Sequence, residues 1–287
     1  MTKLDNILEN IKSKSSVCGI ASEQINFAKQ LVDNKLKNTN LFVCEGLWAV
    51  DKLIDNKIIV THFFYNQDTL DNLTTENLIK LEKMVKYSKQ SFAISTKACK
   101  KISDRDGYDE YFIIAEQPLY TFADFEKMFV SGNEMAIVMD GLEQPGNIGA
   151  ILRSFDCAGG KFAIITNKKA SLTNSRLVRA SLGASFLIPT IEADIDTVQR
   201  WLVSNNYRCI VTDLQTKKTF KDADYSGNIA IVAGNEHTGI SPSWRSVKNA
   251  ESVIIPMLGS CESLNVGFAS TLVSYEAGLK KYNVKLN

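Results

Sequence analysis

Short and almost continuous aliphatic runs recur along the later part of the chain, separated by helix-length stretches. They span 134–140, 162–166, 186–191, 208–214, 229–234 and 252–257. Strands that helices cover on both faces need such unbroken apolar runs. The pattern predicts an α/β fold with an open parallel sheet and helices on both sides. Because ligands bind beyond the carboxyl ends of such strands, the loops after Asp140, Gly234 and Met257 are the candidate sites.

The earlier part of the chain alternates polar-rich helical segments with short strands. Ile25, Ala28, Leu31 and Val32 have the spacing of one helical face. The segments 41–46, 59–66 and 110–117 are typical of strands, and 47–57 and 75–88 of helices. This half therefore predicts a smaller α/β module. Its recurrent lysines between 83 and 101 fit a solvated face or an RNA contact.

Composition changes between these two halves. Three glycines precede residue 131 and the other thirteen of the sixteen follow it. The segment around the change contains Pro118 and Gly132. We therefore predict a substrate-binding domain at 1–117, a linker with a short helix at 118–131 and a second domain at 132–287.

Composition also narrows the class of protein. The 287 residues are 45% hydrophobic, which suits a globular protein with a sizeable core. The apolar runs are far shorter than the ~20 residues of a membrane span, and the first residues carry no apolar signal core, so a cytoplasmic protein without a membrane partner is expected. Six scattered cysteines without a C-x-x-C pair, and only two histidines, predict reduced thiols and no metal site. The net charge of +1 does not by itself indicate a nucleic-acid partner.

The loop after Asp140 reads "DGLEQPGNIGAILRS". Pro145 and Gly146 form a turn, and Asn147 is a candidate helix N-cap. Arg153 lies six residues later, near enough for both side chains to face the strand ends. Taken alone, the loop favours an ordinary turn with a helix cap and an arginine bound to a surface carboxylate.

The second loop, "AGNEHTGIS", places Glu236 between two glycines. Gly234 permits a close backbone approach to a ligand, and Gly239 lets the chain turn back. An exposed glutamate in a plain turn remains the alternative interpretation of this loop. His237 has no evident carboxylate partner and is interpreted as a surface residue.

The third loop, "IPMLGSCESLNVGFA", leads into the last helix. Pro256 ends the strand, and Ser263 is the candidate N-cap. Leu264 is expected to be buried, at the start of an apolar stripe on one helical face that continues through Phe268, Leu272, Tyr275 and Leu279.

Together, in this order and with these separations, the three loops resemble the signature motifs of the SpoU/TrmH family of RNA ribose 2′-O-methyltransferases, in the SPOUT superfamily. The resemblance covers roughly residues 132–282. The segment 41–66 resembles the ribosomal-protein-like substrate-binding domain that often precedes this catalytic domain. The resemblance implies a trefoil knot in the C-terminal part of the parallel sheet, which sheet patterns alone do not predict.

The resemblance also implies a cofactor, S-adenosylmethionine, and roles for individual residues. The ribose hydroxyl needs help to lose its proton, and we interpret Arg153 as stabilising the developing alkoxide, because a guanidinium is a poor base. RNA is the implied partner, ribosomal rather than transfer RNA, and the family's homodimer is expected. The implied catalytic residues are Asn147, Arg153, Glu236, Ser263 and Asn265; the cofactor-binding residues are Gly234, Ile255, Met257 and Leu264; and the phosphate-binding residues are Arg176 and Arg179.

Two other classes of protein compete with this interpretation. A non-catalytic RNA-binding or assembly protein would have a degenerate pocket, but every expected polar position is present. A nucleotide-dependent oxidoreductase on a Rossmann sheet would need fingerprint glycines after the first strand of its sheet and a ribose-binding acid about twenty residues later, and both are missing. A transfer-RNA target remains the alternative within the methyltransferase class.

Overall fold

The computed structural model describes residues 3–36, 38–104 and 107–282. Clustering of neighbouring residues divides the chain into two units. The first unit contains the chain up to Pro118 together with Leu172–Arg179, and the second unit contains Leu119–Ser171 and everything from Ala180 onward.

The first unit is built on a mixed sheet with strand order β1-β4-β3-β5-β2. β1, β4 and β3 run parallel, whereas β5 is antiparallel to both of its neighbours. α2 and α5 pack on one face of the sheet, and α4 lies on β3 with α1 and α3 beside it. The strands are β1 (Ser16–Cys18), β2 (Leu41–Glu45), β3 (Val60–Asn66), β4 (Gln90–Ile94) and β5 (Tyr111–Glu116); the helices are α1 (Lys3–Ser13), α2 (Glu23–Val32), α3 (Val50–Asp55), α4 (Thr75–Tyr87) and α5 (Thr96–Ile102).

The second unit contains the parallel sheet that the aliphatic runs predict. In the described part of the chain it has six strands in the order β11-β9-β10-β6-β7-β8, and every adjacent pair is parallel. α6 and α10 cover one face, and α7, α9 and α11 lie on the other. The strands are β6 (Met135–Asp140), β7 (Phe162–Thr166), β8 (Thr190–Glu192), β9 (Arg208–Thr212), β10 (Ile229–Gly234) and β11 (Ala250–Val253); the helices are α6 (Phe122–Met128), α7 (Pro145–Cys157), α9 (Ala184–Leu187), α10 (Ile195–Ser204) and α11 (Val266–Tyr282). Most of α8 (Ser175–Ser181) belongs to the segment Leu172–Arg179 of the first unit.

Two of the expected strands differ from the structure. The run 186–191 begins in helix α9, because Gly183 turns the chain at a φ of 101° and starts a helical turn before β8. The run 252–257 contributes only its first two residues to β11, and the segment from Ile255 to Met257 leaves the sheet and lines a cavity. An apolar run therefore does not by itself determine where the hydrogen bonding between neighbouring strands begins or ends.

The expected linker at 118–131 also differs from the structure. From Leu119 onward it belongs to the second unit, where Phe125 of α6 is fully buried and its ring centroid lies 4.5 Å from that of Phe162. Thr121 and Asp124 form a capping box that starts this helix. Hydrophobic packing of one aromatic ring thus makes this segment part of the core.

Helix α11 packs on α7 through small residues, and not through its large apolar ones. Its buried face consists of Gly267, Ser270, Val273, Ser274, Ala277 and Gly278. A Cβ added to Gly278 would lie 2.2 Å from the carbonyl oxygen of Ala158, so the two backbones are almost in contact. The predicted stripe lies on the other side and is exposed, with Phe268 at 68%.

The chain path near α11 bears on the implied knot. β11 lies at the edge of the sheet beside β9, and the next helix returns to lie on α7 and β10. The trefoil knot itself stays a prediction. Among the described helices, none combines the length and apolar character needed to cross a membrane.

We expect Gly278→Ala to destabilise the second unit. The new methyl would clash with the Ala158 carbonyl, which as backbone cannot move aside, and overpacking of this kind costs about 1–3 kcal/mol even against the better helix propensity of alanine. Thermal unfolding should show a Tm lower by several degrees. Gly259→Ala is the control, since a Cβ there meets no atom within 4 Å; equal Tm values for the two variants would contradict this packing.

Candidate active site

A cavity of about 480 Å³ opens at the carboxyl ends of β9, β10 and β11. The second and third loops face each other across it, and Ile240, Val266 and Ala269 add apolar wall. Concave sites with an apolar lining and a few polar groups are typical binding sites. The predicted residues that line it are Gly234, Glu236, Ile255, Met257, Ser263, Leu264 and Asn265.

The loop 235–241 folds back tightly on the end of β10. A Cβ at Gly234 would lie 2.4 Å from the amide nitrogen of Ile240 and 2.5 Å from the carbonyl carbon of Gly239. Asn235 and Gly239 exchange two backbone hydrogen bonds of 2.9 and 3.0 Å. Gly234 is therefore required by this loop itself, in addition to its expected approach to a ligand.

The side chain of Asn235 holds this loop in place from inside. Its Oδ1 accepts hydrogen bonds from the amides of His237 (2.8 Å) and Thr238 (3.0 Å). Its Nδ2 donates to the carbonyl oxygen of Gly141 at 2.8 Å and to Glu143 at 3.3 Å. The second loop is thereby tied to the first.

Asp140 forms a second connection between the strands of the sheet and the loop 235–241. Its carboxylate, at the end of β6, accepts from the hydroxyl of Thr166 (3.0 Å) and the amide nitrogen of Ser241 (2.8 Å). The side chain is 2% exposed. This buried carboxylate is satisfied by hydrogen bonds, as burial requires.

Three predicted catalytic residues are joined by hydrogen bonds. The side-chain amide of Asn147 donates to Glu236 Oε1 at 2.8 Å, and that of Asn265 donates to Asn147 Oδ1 at 3.3 Å. Each of the three residues comes from a different motif. The structure therefore brings the three motifs to one place.

The cap assignments differ from expectation. Helix α7 starts at Pro145, which suits the first helical position, so Asn147 lies inside the first turn and is free to bind Glu236. Helix α11 starts at Val266, and Asn265 Oδ1 accepts from the amide of Gly267 at 2.9 Å. Asn265, and not Ser263, therefore caps α11.

Glu236 is held as a carboxylate. Burial raises its pKa, but hydrogen bonds from the Asn147 side chain and from backbone amides outweigh burial and leave the pKa below its ordinary value. The group is charged at neutral pH. The stability that these hydrogen bonds add is present above the unfolded-state pKa and is lost as the pH falls through the folded-state value.

The structure does not join Arg153 to this network. It lies on α7, its side chain is exposed, and no hydrogen bond or ion pair to its guanidinium is present among the described residues. This guanidinium, on the same helix as Asn147 and six residues further along, is therefore available to a ligand.

The two arginines expected to bind phosphate belong to the segment 172–179, which clusters with the first unit. Arg179 forms ion pairs with Glu45 at 2.7 Å and Asp104 at 2.6 Å. Its charge is therefore already compensated. Arg176 is exposed, and no ion pair to its side chain is present in the described part of the chain.

Comparisons with known proteins identify relatives of this chain. The model of the SpoU rRNA Methylase family matches residues 134–275. A putative TrmH family tRNA/rRNA methyltransferase of Staphylococcus aureus is 30% identical over 172 residues, covering 58% of this chain and 68% of that protein. The chain belongs to the SpoU/TrmH family of RNA methyltransferases.

Two further relatives match more of this SpoU/TrmH chain than residues 134–275. The 23S rRNA (guanosine(2553)-2′-O)-methyltransferase RlmP of Bacillus subtilis is 22% identical over 83% of this chain and 88% of that protein. The crystal structure of the SpoU methyltransferase AviRb from Streptomyces viridochromogenes, in complex with the cofactor AdoMet, matches 92% of this chain and all of that chain with a TM-score of 0.79 and 21% identity. The α/β fold with its parallel sheet is thus confirmed.

Prediction from the sequence missed some features of this SpoU/TrmH site. Leu264 is 40% exposed, not buried, because it lines an open cavity. Asn235 and Asp140 were not predicted, although each sits at a strand end, where a polar residue can signal a loop contact. Among the described residues, no three His, Cys, Asp or Glu side chains form a group that could hold a metal ion.

We expect Asn235→Ala to loosen the 235–241 loop. The variant loses the side-chain bonds to His237, Thr238 and Gly141, and hydrogen exchange of the Gly239 amide should speed up about ten- to a hundredfold, or about 1–3 kcal/mol. Thr238→Ala, at the exposed tip, is the control and should exchange like the wild type. Equal exchange in both variants would show that Asn235 does not hold the loop.

Proposed function

We propose that this protein transfers the methyl group of S-adenosylmethionine to a ribose 2′-hydroxyl of RNA, and that the target lies in ribosomal rather than transfer RNA. The observation that carries the proposal is the convergence of Asn147, Glu236 and Asn265, one from each motif, beside the cavity at the strand ends. The names of the relatives support it: RlmP is a 23S rRNA 2′-O-methyltransferase and AviRb was crystallised with AdoMet.

The cavity has the character that this cofactor requires. Ile255, Met257 and Leu264 supply an apolar wall for an adenine ring, and Gly234 lines the same cavity. We assign these four residues to cofactor binding. When bound, the sulfonium supplies an already activated methyl group, so the protein has to position the acceptor and ease loss of its proton.

Arg153 is assigned to the acceptor oxygen. In the reaction the bond from sulfur to the methyl carbon breaks, a bond from the ribose oxygen to that carbon forms, and the hydroxyl proton leaves to solvent or an RNA phosphate. A free guanidinium stabilises the negative charge that grows on this oxygen, whereas its own high pKa makes it a poor base.

The remaining polar residues position the reacting groups. Glu236 holds the side chain of Asn147, and Asn265 holds it from the other side. These bonds fix the start of α7, the helix that carries Arg153 further along. Ser263 lines the cavity next to Leu264 and is assigned to the target ribose. Glu236 therefore acts through Asn147 on the reacting groups.

We further propose that the first unit, which contains residues 1–117, binds the RNA and that Arg176 contacts its phosphates. The Arg176 side chain is exposed and has no ion pair among the described residues, which supports this role. Arg179 is instead paired with Glu45 and Asp104, and these ion pairs hold the segment 172–179 in place.

The reaction is assigned to the cytoplasm. The cysteines that the structure describes are all unpaired, and burial raises the pKa of the Cys209 thiol to about 12, so that it stays protonated. This suits a reducing compartment.

The direct test uses purified protein, methyl-labelled S-adenosylmethionine and ribosomal RNA transcribed in vitro without modifications. We expect 2′-O-methylated nucleosides by mass spectrometry, and cofactor binding that a nicotinamide dinucleotide does not displace. Transfer only to transfer RNA would contradict the choice of target. A protein that binds the RNA but not the cofactor would be the non-catalytic alternative.

We expect Arg153→Ala to lower kcat about 10²–10³-fold with a cofactor Kd within twofold of wild type. The substitution removes a donor that acts on the transition state alone, and the loss of one such donor costs that much. Single-turnover methyl transfer and calorimetric titration measure the two quantities. Arg153→Lys keeps the positive charge but loses the two-pronged donor geometry of the guanidinium, so its kcat should lie between those of the wild type and Arg153→Ala. Equal loss of binding and transfer in Arg153→Ala would make Arg153 structural.

We propose a homodimer that pairs the exposed stripe of α11 with the same stripe in a second copy. The stripe runs along α11 for about 17 Å at a rise of 1.5 Å per residue, and contiguous exposed apolar surface marks an interaction site. The exposed side chains of the stripe on α11 are Phe268, Leu272, Tyr275 and Leu279.

We expect Phe268→Glu to turn this dimer into monomers, because the charge would have to be buried between two apolar helices. Sedimentation or light scattering gives the mass. Val130→Glu, which changes an equally exposed apolar residue off this helix, should remain dimeric. A wild-type protein that is monomeric at micromolar concentration would overturn the dimer.

A further inference from the structure

A second cavity lies on the other side of the loop 235–241, also at the carboxyl edge of the parallel sheet. Its volume is about 570 Å³, and Asn235, Gly239 and Ile240 line both cavities. The loop between the cavities is closed by the paired backbone of Asn235 and Gly239. It is therefore only about 5 Å wide, the separation of two paired strands.

The floor of this cavity is polar and rigid. Asn167 donates from Nδ2 to Asp140 at 2.8 Å and to the Ser241 hydroxyl at 3.3 Å. The backbone of Asn167 is in the left-handed region, at a φ of 48°, so these bonds fix an otherwise unfavourable conformation. A network satisfied in this way does not need a ligand to hold its shape.

The lining of the cavity contains two lysines, Lys168 and Lys169, and two carboxylates, Asp140 and Glu143. Lys168 is partly compensated by Glu192 at 2.7 Å. Lys169 is exposed, and no ion pair to it is present among the described residues. Glu143 also lines the cavity, but its side chain accepts a hydrogen bond from Asn235 on the loop side. The free cation is thus at Lys169.

We propose that this second cavity binds the phosphodiester and sugar of the nucleotide next to the methylated one, with Lys169 as the phosphate ligand. This inference rests on the proposed function. A strand whose target ribose lies at Asn147 and Glu236 has to continue past the loop, and one extended nucleotide is long enough to cross a turn of this width. The hydrogen-bonding side chains of Asn167 and Ser241 and the lysine at the rim suit a sugar and a phosphate.

The test compares Lys169→Ala and Lys169→Glu with Lys127→Ala, which removes an exposed lysine of α6 outside both cavities. The probe is unmodified ribosomal RNA transcribed in vitro. Lys169→Ala should raise the KM for this RNA about three- to tenfold. The slope of log binding constant against log salt concentration should become shallower by about one, because one phosphate contact is lost. Lys169→Glu should have larger effects on both quantities. The cofactor Kd and the kcat at saturating RNA should stay within twofold, which also reports that the variants are folded.

Two results would overturn the inference. One is an RNA KM for Lys169→Ala equal to that of Lys127→Ala. The other is a salt dependence of RNA binding that is the same in Lys169→Ala and in the wild type, since loss of a phosphate contact has to reduce it. Failure of the wild-type protein to methylate the RNA would instead count against the proposed function, and RNA binding by fluorescence anisotropy would still measure the role of Lys169.

Discussion

The close return of the loop 235–241 onto Gly234 is the constraint on which the site depends. With no side chain at Gly234, the Gly239–Ile240 backbone can lie against the end of β10, and Asn235 and Asp140 hold it there by hydrogen bonds to β6, the first loop and the loop's own amides. This return places Glu236 where it can bind Asn147. Without it, the cavity would lose the wall that faces the third loop, and the first turn of α7 would lose its anchor.

A second constraint acts on the last helix. Because α11 presents glycine, serine and alanine to α7, the two backbones approach closely, and Thr271 and Ser154 join them by a hydrogen bond of 2.8 Å. This contact sets the direction of α11 and so the position of the residues just before it, Leu264 and Asn265, at the cavity. Since small residues satisfy the intramolecular contact, the large apolar side chains of the same helix are left outside. The same helix can therefore orient the site and offer a surface to a second copy.

The sequence predicts the parallel sheet well because strands such as β6, β7 and β10 are aliphatic throughout and buried on both faces. It also brings the motif residues to one edge of that sheet, since parallel strands end on the same side. Prediction from the sequence fails where a tertiary contact outweighs a local pattern. Phe125 turns an expected linker into core, Pro145 displaces Asn147 from the cap position, and the close approach of α7 decides which face of α11 is buried. The ion pairs of Arg179 join residues far apart in the chain, and no pattern in one sequence reveals them.

The central claim is that the second and third motifs form one cofactor pocket, closed by the loop 235–241. Hydrogen exchange with and without S-adenosylmethionine tests it most directly, because amides that contact or enclose a ligand open less often once it is bound. The account predicts that the cofactor slows exchange in 234–241 and 253–266 together and leaves the first unit unchanged. Binding of the cofactor that protects other segments, or only one of these two, would contradict it.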